Sequence, residues 1–123
     1  MTAAITSLQS TTKASQISST DAVSALAALG NTLRLQAYRH ILNAGRTGLN
    51  VGALQSLLGT PASTLNHHLN TLVRAGIIIQ KREGREIYNI ANQDHMQAVV
   101  QFLGLLQTPS GQDQRPQAMQ GVA

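Results

Sequence analysis

Two short stretches of helical spacing meet at Gly59-Thr60-Pro61, and this junction limits the fold more than any other feature of the chain. Before it, Asn50 stands where a helix N-cap belongs and VGALQSLL follows. After it, Thr60 is placed to cap and Pro61 to take the first helical position, where its missing N–H costs nothing. The second helix is expected to run to Ala75, bury Leu65, Leu69, Leu72 and Val73, and stop at Gly76. A turn this short and led by glycine forces the two helices to cross steeply. The segment from Val51 to Ala75 therefore reads as a helix-turn-helix.

The punctuation continues on both sides. Ser19 or Thr20 can cap a helix through Val23, Leu26 and Leu29, which Gly30 stops. Asn31 can cap the next, with Leu33, Ala37 and Ile41 and also Leu35, Tyr38 and Leu42 at helical spacing, up to Gly45. Beyond Gly76 the pattern changes. IIIQ and EIYNIA are β-branched runs around KREGR, which predicts a β-hairpin with a five-residue tip at Gly84. Asn92 can cap a last helix whose apolar positions are Met96, Val99, Val100, Leu103 and Leu106, widened by Phe102 and Leu105. A helix apolar on more than one side is buried on more than one side. In so short a chain, a second copy is the natural cover.

The fold class expected is thus mainly α, about five helices with a β-hairpin wing. Residues 1–18 show no periodicity and read as a disordered N-terminal arm, residues 19–107 as the folded domain, and residues 108–123 as a disordered tail with two prolines and two glycines. A domain this small buries only about 60% of its unfolded surface. It also holds just three aromatic residues, Tyr38, Tyr88 and Phe102. Dimerisation would repair both deficits.

Composition narrows the chemistry. Among 123 residues there is no cysteine, which excludes disulfides, thiolate metal sites and thiol nucleophiles. No apolar run approaches the roughly 18 residues that span a membrane, and the N-terminus lacks a secretory pattern, so a cytoplasmic protein without a membrane partner is expected. The formal net charge is +4. Between Asn31 and Ile90 seven cations (Arg34, Arg39, Arg46, Arg74, Lys81, Arg82, Arg85) face two anions, Glu83 and Glu86, a net +5. A basic compact segment favours a polyanionic partner, nucleic acid first. GRTGLNVG, residues 45–52, lacks the Lys-Ser/Thr ending of a phosphate loop and reads as a connection. No nucleophile, metal site or phosphate loop is present, so no enzyme and no cofactor are expected.

With Leu65, Leu69 and Leu72 inward, the exposed start of the second helix holds Ala62, Ser63, Asn66 and His67. These side chains are small or hydrogen-bonding and reach base edges and phosphates of double-stranded DNA. His67 is assigned to DNA. His68, three residues after Leu65, turns to the helix interface as a half-buried hydrogen-bonding residue. Consecutive helical residues point about 100° apart, which makes the two histidines a poor metal pair. On the hairpin, Arg85 is placed for the minor groove and Lys81 and Arg82 for phosphates. Gln55 sits where crossing helices leave little room, so it must bend outward or open the crossing.

At this point the chain resembles a known family. From Asp21 to Leu106, through STLNHHLNTLVRAGII followed by REGREIY, it resembles the ArsR/SmtB family of winged helix-turn-helix repressors. The resemblance implies a homodimer built from the first and last helices, operator reading by Ser63, Asn66 and His67, and a wing role for Arg85. Members often sense metals or arsenic, and here the chain departs. LNVGAL puts Asn50 and Gly52 where a Cys-x-Cys site would be. In NQDHMQAVVQFLGLLQ, Asp94 and His95 are adjacent rather than spaced, Met96 replaces a histidine, and no later histidine follows. A zinc site needs three or four ligands. Two alternatives to a specific DNA-binding repressor stay open: a winged-helix protein-interaction module, and a metal sensor using Asp94 and His95 across a dimer. If neither applies, Asp94 favours a helix N-terminus and His95 is exposed. An inducer, organic ligand or protein, is not named by the residues.

Overall fold

The computed structural model describes residues 16–107. Residues 1–15 of the expected N-terminal arm (1–18) and the expected tail, residues 108–123, lie outside the described residues. Helix α1 spans Ser19–Leu29, α2 Thr32–Asn43, α3 Val51–Leu58, α4 Ala62–Arg74 and α5 Gln93–Gly104. A hairpin of β1 (Ile78–Glu83) and β2 (Glu86–Ala91) lies between α4 and α5. The order is that of a winged helix-turn-helix.

Three asparagines start three helices in the same way. The Oδ1 atoms of Asn31, Asn50 and Asn92 accept from the amides of Arg34 (3.0 Å), Ala53 (2.8 Å) and His95 (3.3 Å). Each satisfies a donor the helix leaves open, worth about 1 kcal/mol. The expected cap of α1 is corrected by one residue: Ser18 Oγ accepts from the Asp21 amide, and Ile17 packs against the core. The expected Thr60 cap is also corrected. Pro61 holds the N-cap position of α4 without a side-chain bond, while Thr60 Oγ1 donates to the Leu58 carbonyl. Gly59, at φ 64°, ends α3 in the left-handed region and sets the crossing. Gln55, on α3, is half-buried. Gly45 does not end α2 directly. Ala44 is its C-cap, and Gly45–Thr47 forms a 3-10 turn.

The core gathers Ile41, Leu54, Leu65, Leu69, Leu72, Ile77, Ile78 and Val99, all essentially without exposure. Val73 and Met96 pack against it, half-buried. Helix α1 turns its small residues to the core. Ala22, Ala25 and Ala28 are buried, whereas Val23 is 62% exposed and Leu26 37%. Alanine lets helix backbones approach closely, so the small stripe turns inward and the bulky one outward. Leu35 and Leu42 on α2 are likewise exposed. On α5, Ala98 and Val99 are buried, but Val100 and Leu103 are exposed; Leu105 and Leu106, expected within this helix, lie exposed in the turn just past its end. Helices α1 and α5 touch one another, so their outward apolar residues belong to neighbouring elements.

Candidate nucleic-acid interface

Helix α4 divides cleanly. Leu65, Leu69 and Leu72 are buried, and Ser63, Asn66, His67, Asn70 and Arg74 are exposed. Ala62 is half-buried at the first helical position. At 100° per residue, positions 63, 66, 67, 70 and 74 share the side opposite the leucines. Asn70 and Arg74 extend the surface expected from Ser63, Asn66 and His67. The same spacing that placed the leucines inward could have found them. The Arg74 guanidinium stands 3.5 Å from Thr71 Oγ1, along the same helix end.

His68 lies where its spacing places it, half-buried between helices. The Arg34 guanidinium Nη1 is 3.0 Å from His68 Nδ1. Burial first, then Arg34 and the adjacent His67, hold the imidazole below its ordinary value of 6.5. The neighbouring rings of His67 and His68 are 5.7 Å apart and tilted, with His67 exposed and His68 half-buried.

The hairpin corrects the expected tip. Its strands pair down to Glu83 opposite Glu86, leaving a turn of two residues, Gly84 and Arg85, with Gly84 at φ 63°. Lys81 and Arg82 therefore sit in strand β1 rather than in the tip. They point to opposite faces, Lys81 opposite Tyr88 and Arg82 opposite Ile87. Lys81 Nζ also pairs with Glu83 Oε2 at 3.3 Å, between two largely exposed side chains. The three cations of the wing thus present separately, with Arg85 at the turn.

The residues 45–52, expected as a plain connection, fasten the wing. Leu49 and Asn89 exchange backbone bonds of 3.0 and 2.8 Å. The Asn89 side chain, only 2% exposed, donates to the Leu49 carbonyl at 3.0 Å and accepts from Gln80 Nε2 at 2.9 Å. Asn50 Nδ2, whose oxygen caps α3, donates to Glu86 Oε1 at 3.1 Å. Gly48, at φ 72°, allows this approach. A Cβ there would stand 2.6 Å from the Asn89 carbonyl oxygen and 2.8 Å from Ile90 Cγ1. The one sequence hint was an asparagine inside the otherwise β-branched EIYNIA.

His95 is corrected as well. It is half-buried rather than exposed, with its ring against Gly76 and its Nε2 buried. Asp94 is exposed in the first turn of α5. Among the described residues, no three His, Asp or Glu side chains gather closely enough to hold a metal ion. Nor, among them, is any helix long and apolar enough to cross a membrane.

A family model described as a helix-turn-helix domain matches residues 29–80. HlyU from Vibrio cholerae is 31% identical in sequence, with 72% of this chain and 92% of HlyU covered, at a TM-score of 0.58. The chain belongs to the ArsR family of winged helix-turn-helix transcriptional regulators. Other solved structures agree with this placement. An ArsR-like transcriptional regulator from Rhodococcus, 23% identical, covers 85% of this chain and 93% of its own at a TM-score of 0.65, a likeness of fold. A homodimeric winged helix-turn-helix DNA-binding domain from Mycobacterium bovis, a possible ArsR-family regulator, is 25% identical over 68% of this chain and 78% of its own, at a TM-score of 0.56. No curated protein sequence matches the chain. Within the ArsR family, this chain's lack of cysteine leaves thiol chemistry without a residue to carry it.

Proposed function

We propose that the protein is a cytoplasmic, homodimeric transcriptional repressor that binds double-stranded DNA at a specific operator, without response to arsenic or to thiol-bound metals. The observation that carries this reading is the outer side of α4. Its exposed residues Ser63, Asn66, His67, Asn70 and Arg74 are all hydrogen-bonding and oppose a fully buried leucine stripe. No demand of the core selects those residues, and their donors and acceptors suit base edges in a major groove. Arg85 at the hairpin turn and Arg82 beside it supply contacts to the phosphate backbone. Ala62, at the helix start, lies close enough to the surface for an apolar contact with a thymine methyl.

The dimer joins α1 and α5 of two copies. Val23, Leu26, Val100 and Leu103 form exposed apolar surface on these two touching helices, and single-copy folding leaves it in water. The homodimeric neighbour from Mycobacterium bovis has the same fold. Two recognition helices about one turn of DNA apart would then read a near-palindromic site.

Fluorescence anisotropy tests the reading with a duplex from the region upstream of the protein's own coding sequence and a shuffled duplex of equal length, with and without a chelator. Tight binding to the first duplex alone, unchanged by the chelator, is the expected result. Equal and weak binding to both would favour an interaction module. A response to the chelator would restore Asp94 and His95 as a metal site across the dimer.

A further inference from the structure

One side chain joins the first helix to the recognition helix. Arg34, in the first turn of α2, donates through Nε to the Ala28 carbonyl at 2.6 Å, in the last turn of α1. Its Nη1 lies 3.0 Å from His68 Nδ1 on α4. A guanidinium has donors only, so Nδ1 must be the acceptor and the proton of the neutral imidazole must sit on Nε2. Protonating His68 turns Nδ1 into a donor, with two positive charges at hydrogen-bonding distance. The contact can exist with a neutral His68 and not with a charged one.

We infer that Arg34 and His68 are a positioning pair which sets the recognition helix against α1, and that mild acid releases it and weakens specific DNA binding. The inference rests on the DNA-binding reading above. Its sign is what separates it from ordinary electrostatics. Acid adds positive charge to a protein and so strengthens its attraction to phosphates. A released α4 loses specific contacts instead, while binding to random duplex holds or grows.

The surroundings leave the pair unopposed. The charged groups acting on His68 are Arg34 and the adjacent His67, and both disfavour its cation. Helix α3 carries no ionisable side chain. The one on α1 is Asp21, in the first turn, at the opposite end from Ala28. On α2, Tyr38, Arg39 and His40 are later in that helix; β1 carries Arg82 and a Lys81 paired with Glu83, and Arg74 ends α4 itself. None offers His68 a carboxylate that would stabilise its charged form.

Two readouts test the pair on the full chain. Imidazole NMR of the DNA-free protein should show His68 as the Nε2–H tautomer, with a midpoint below the ordinary imidazole value. The Leu29 amide, next to the Ala28 carbonyl, should shift with the His68 midpoint. Anisotropy on a duplex selected from a random-sequence pool should then show specific binding falling about tenfold between roughly pH 7.5 and pH 5.5. His68→Asn places an oxygen where Nδ1 stands and does not titrate, so it should keep neutral-pH affinity and abolish the acid loss. Arg34→Met should raise the His68 midpoint and also remove the acid loss, from a lower starting affinity. An acid loss unchanged in both variants, or a Leu29 amide indifferent to His68, would overturn the pair. Failure of the wild-type chain to select any duplex would instead overturn the DNA-binding reading itself.

Discussion

Helix α4 and helix α5 are similar in length and opposite in design. On α4 every large aliphatic residue but the half-buried Val73 is fully buried, and the outer side is polar. On α5 the core takes Ala98 and Val99 and leaves Val100 at 56% and Leu103 at 38% exposure. Helix α1 follows α5, with alanines inward and Val23 outward. A polar outer side next to a basic hairpin suits a hydrated, charged partner. An apolar outer side shared by two touching helices suits a surface like itself. The proposed function gives the first surface to DNA and the second to another copy, and each half of that proposal can be broken separately.

The largest effect is expected where α4 meets the core. Leu69→Ala should cost about 2–5 kcal/mol of unfolding free energy, because it removes a fully buried side chain and leaves a cavity. Urea denaturation would show it, and a cost below about 1 kcal/mol would mean the stripe is not packed as described. At the other surface, Val100→Asp with Leu103→Asp should convert dimers to monomers and cut operator affinity about a hundredfold, since each half-site then binds alone. Sedimentation velocity gives the mass, and a dimer that survives both changes would place the interface elsewhere. The wing's fastening is tested by Gly48→Ala, where the added Cβ collides with β2 at a positive φ. About 2 kcal/mol of stability should be lost.

Smaller effects sharpen the DNA side. His67→Ala should weaken specific binding by about 1–3 kcal/mol and leave random-duplex binding nearly unchanged. Equal loss on both would demote it to a backbone contact. Arg85→Ala should lower the slope of log affinity against log salt by about one. An unchanged slope would put the wing off the DNA. Stability should also depend on pH through His68. Its folded value is depressed, so the unfolded chain binds the proton first. The contribution is present above about pH 6.5 and is lost as pH falls through the lower folded value. Thermal melts of His68→Asn should lack that part of the acid loss.

Much of this plan was legible in the sequence because its signals are local. The asparagine caps at 31, 50 and 92, the glycine stops at 30 and 59 and the buried leucines at 65, 69 and 72 each act within a few residues, and these appear as read. The facing of α1 was not legible. Val23 and Leu26 share a helix with the alanine stripe 22, 25 and 28, and only the partner helix decides which stripe fits. The wing's anchor was hidden for a similar reason, since Leu49 and Asn89 are forty residues apart in sequence. His95 looked exposed because its neighbour, Gly76, is contributed by the other side of the hairpin. Side chains of the α4 surface were found by subtraction from the core, and subtraction stopped one turn short of Asn70 and Arg74.

Hydroxyl-radical footprinting of the full chain on its selected duplex tests the central division of the molecule most directly. Two protected half-sites should appear, related by a two-fold axis and spaced about 10 base pairs or a multiple of that apart. Val100→Asp with Leu103→Asp should erase the paired pattern, and His67→Ala should fade both halves equally. A single protected patch, or even protection along the whole duplex, would contradict a dimer that reads DNA with α4.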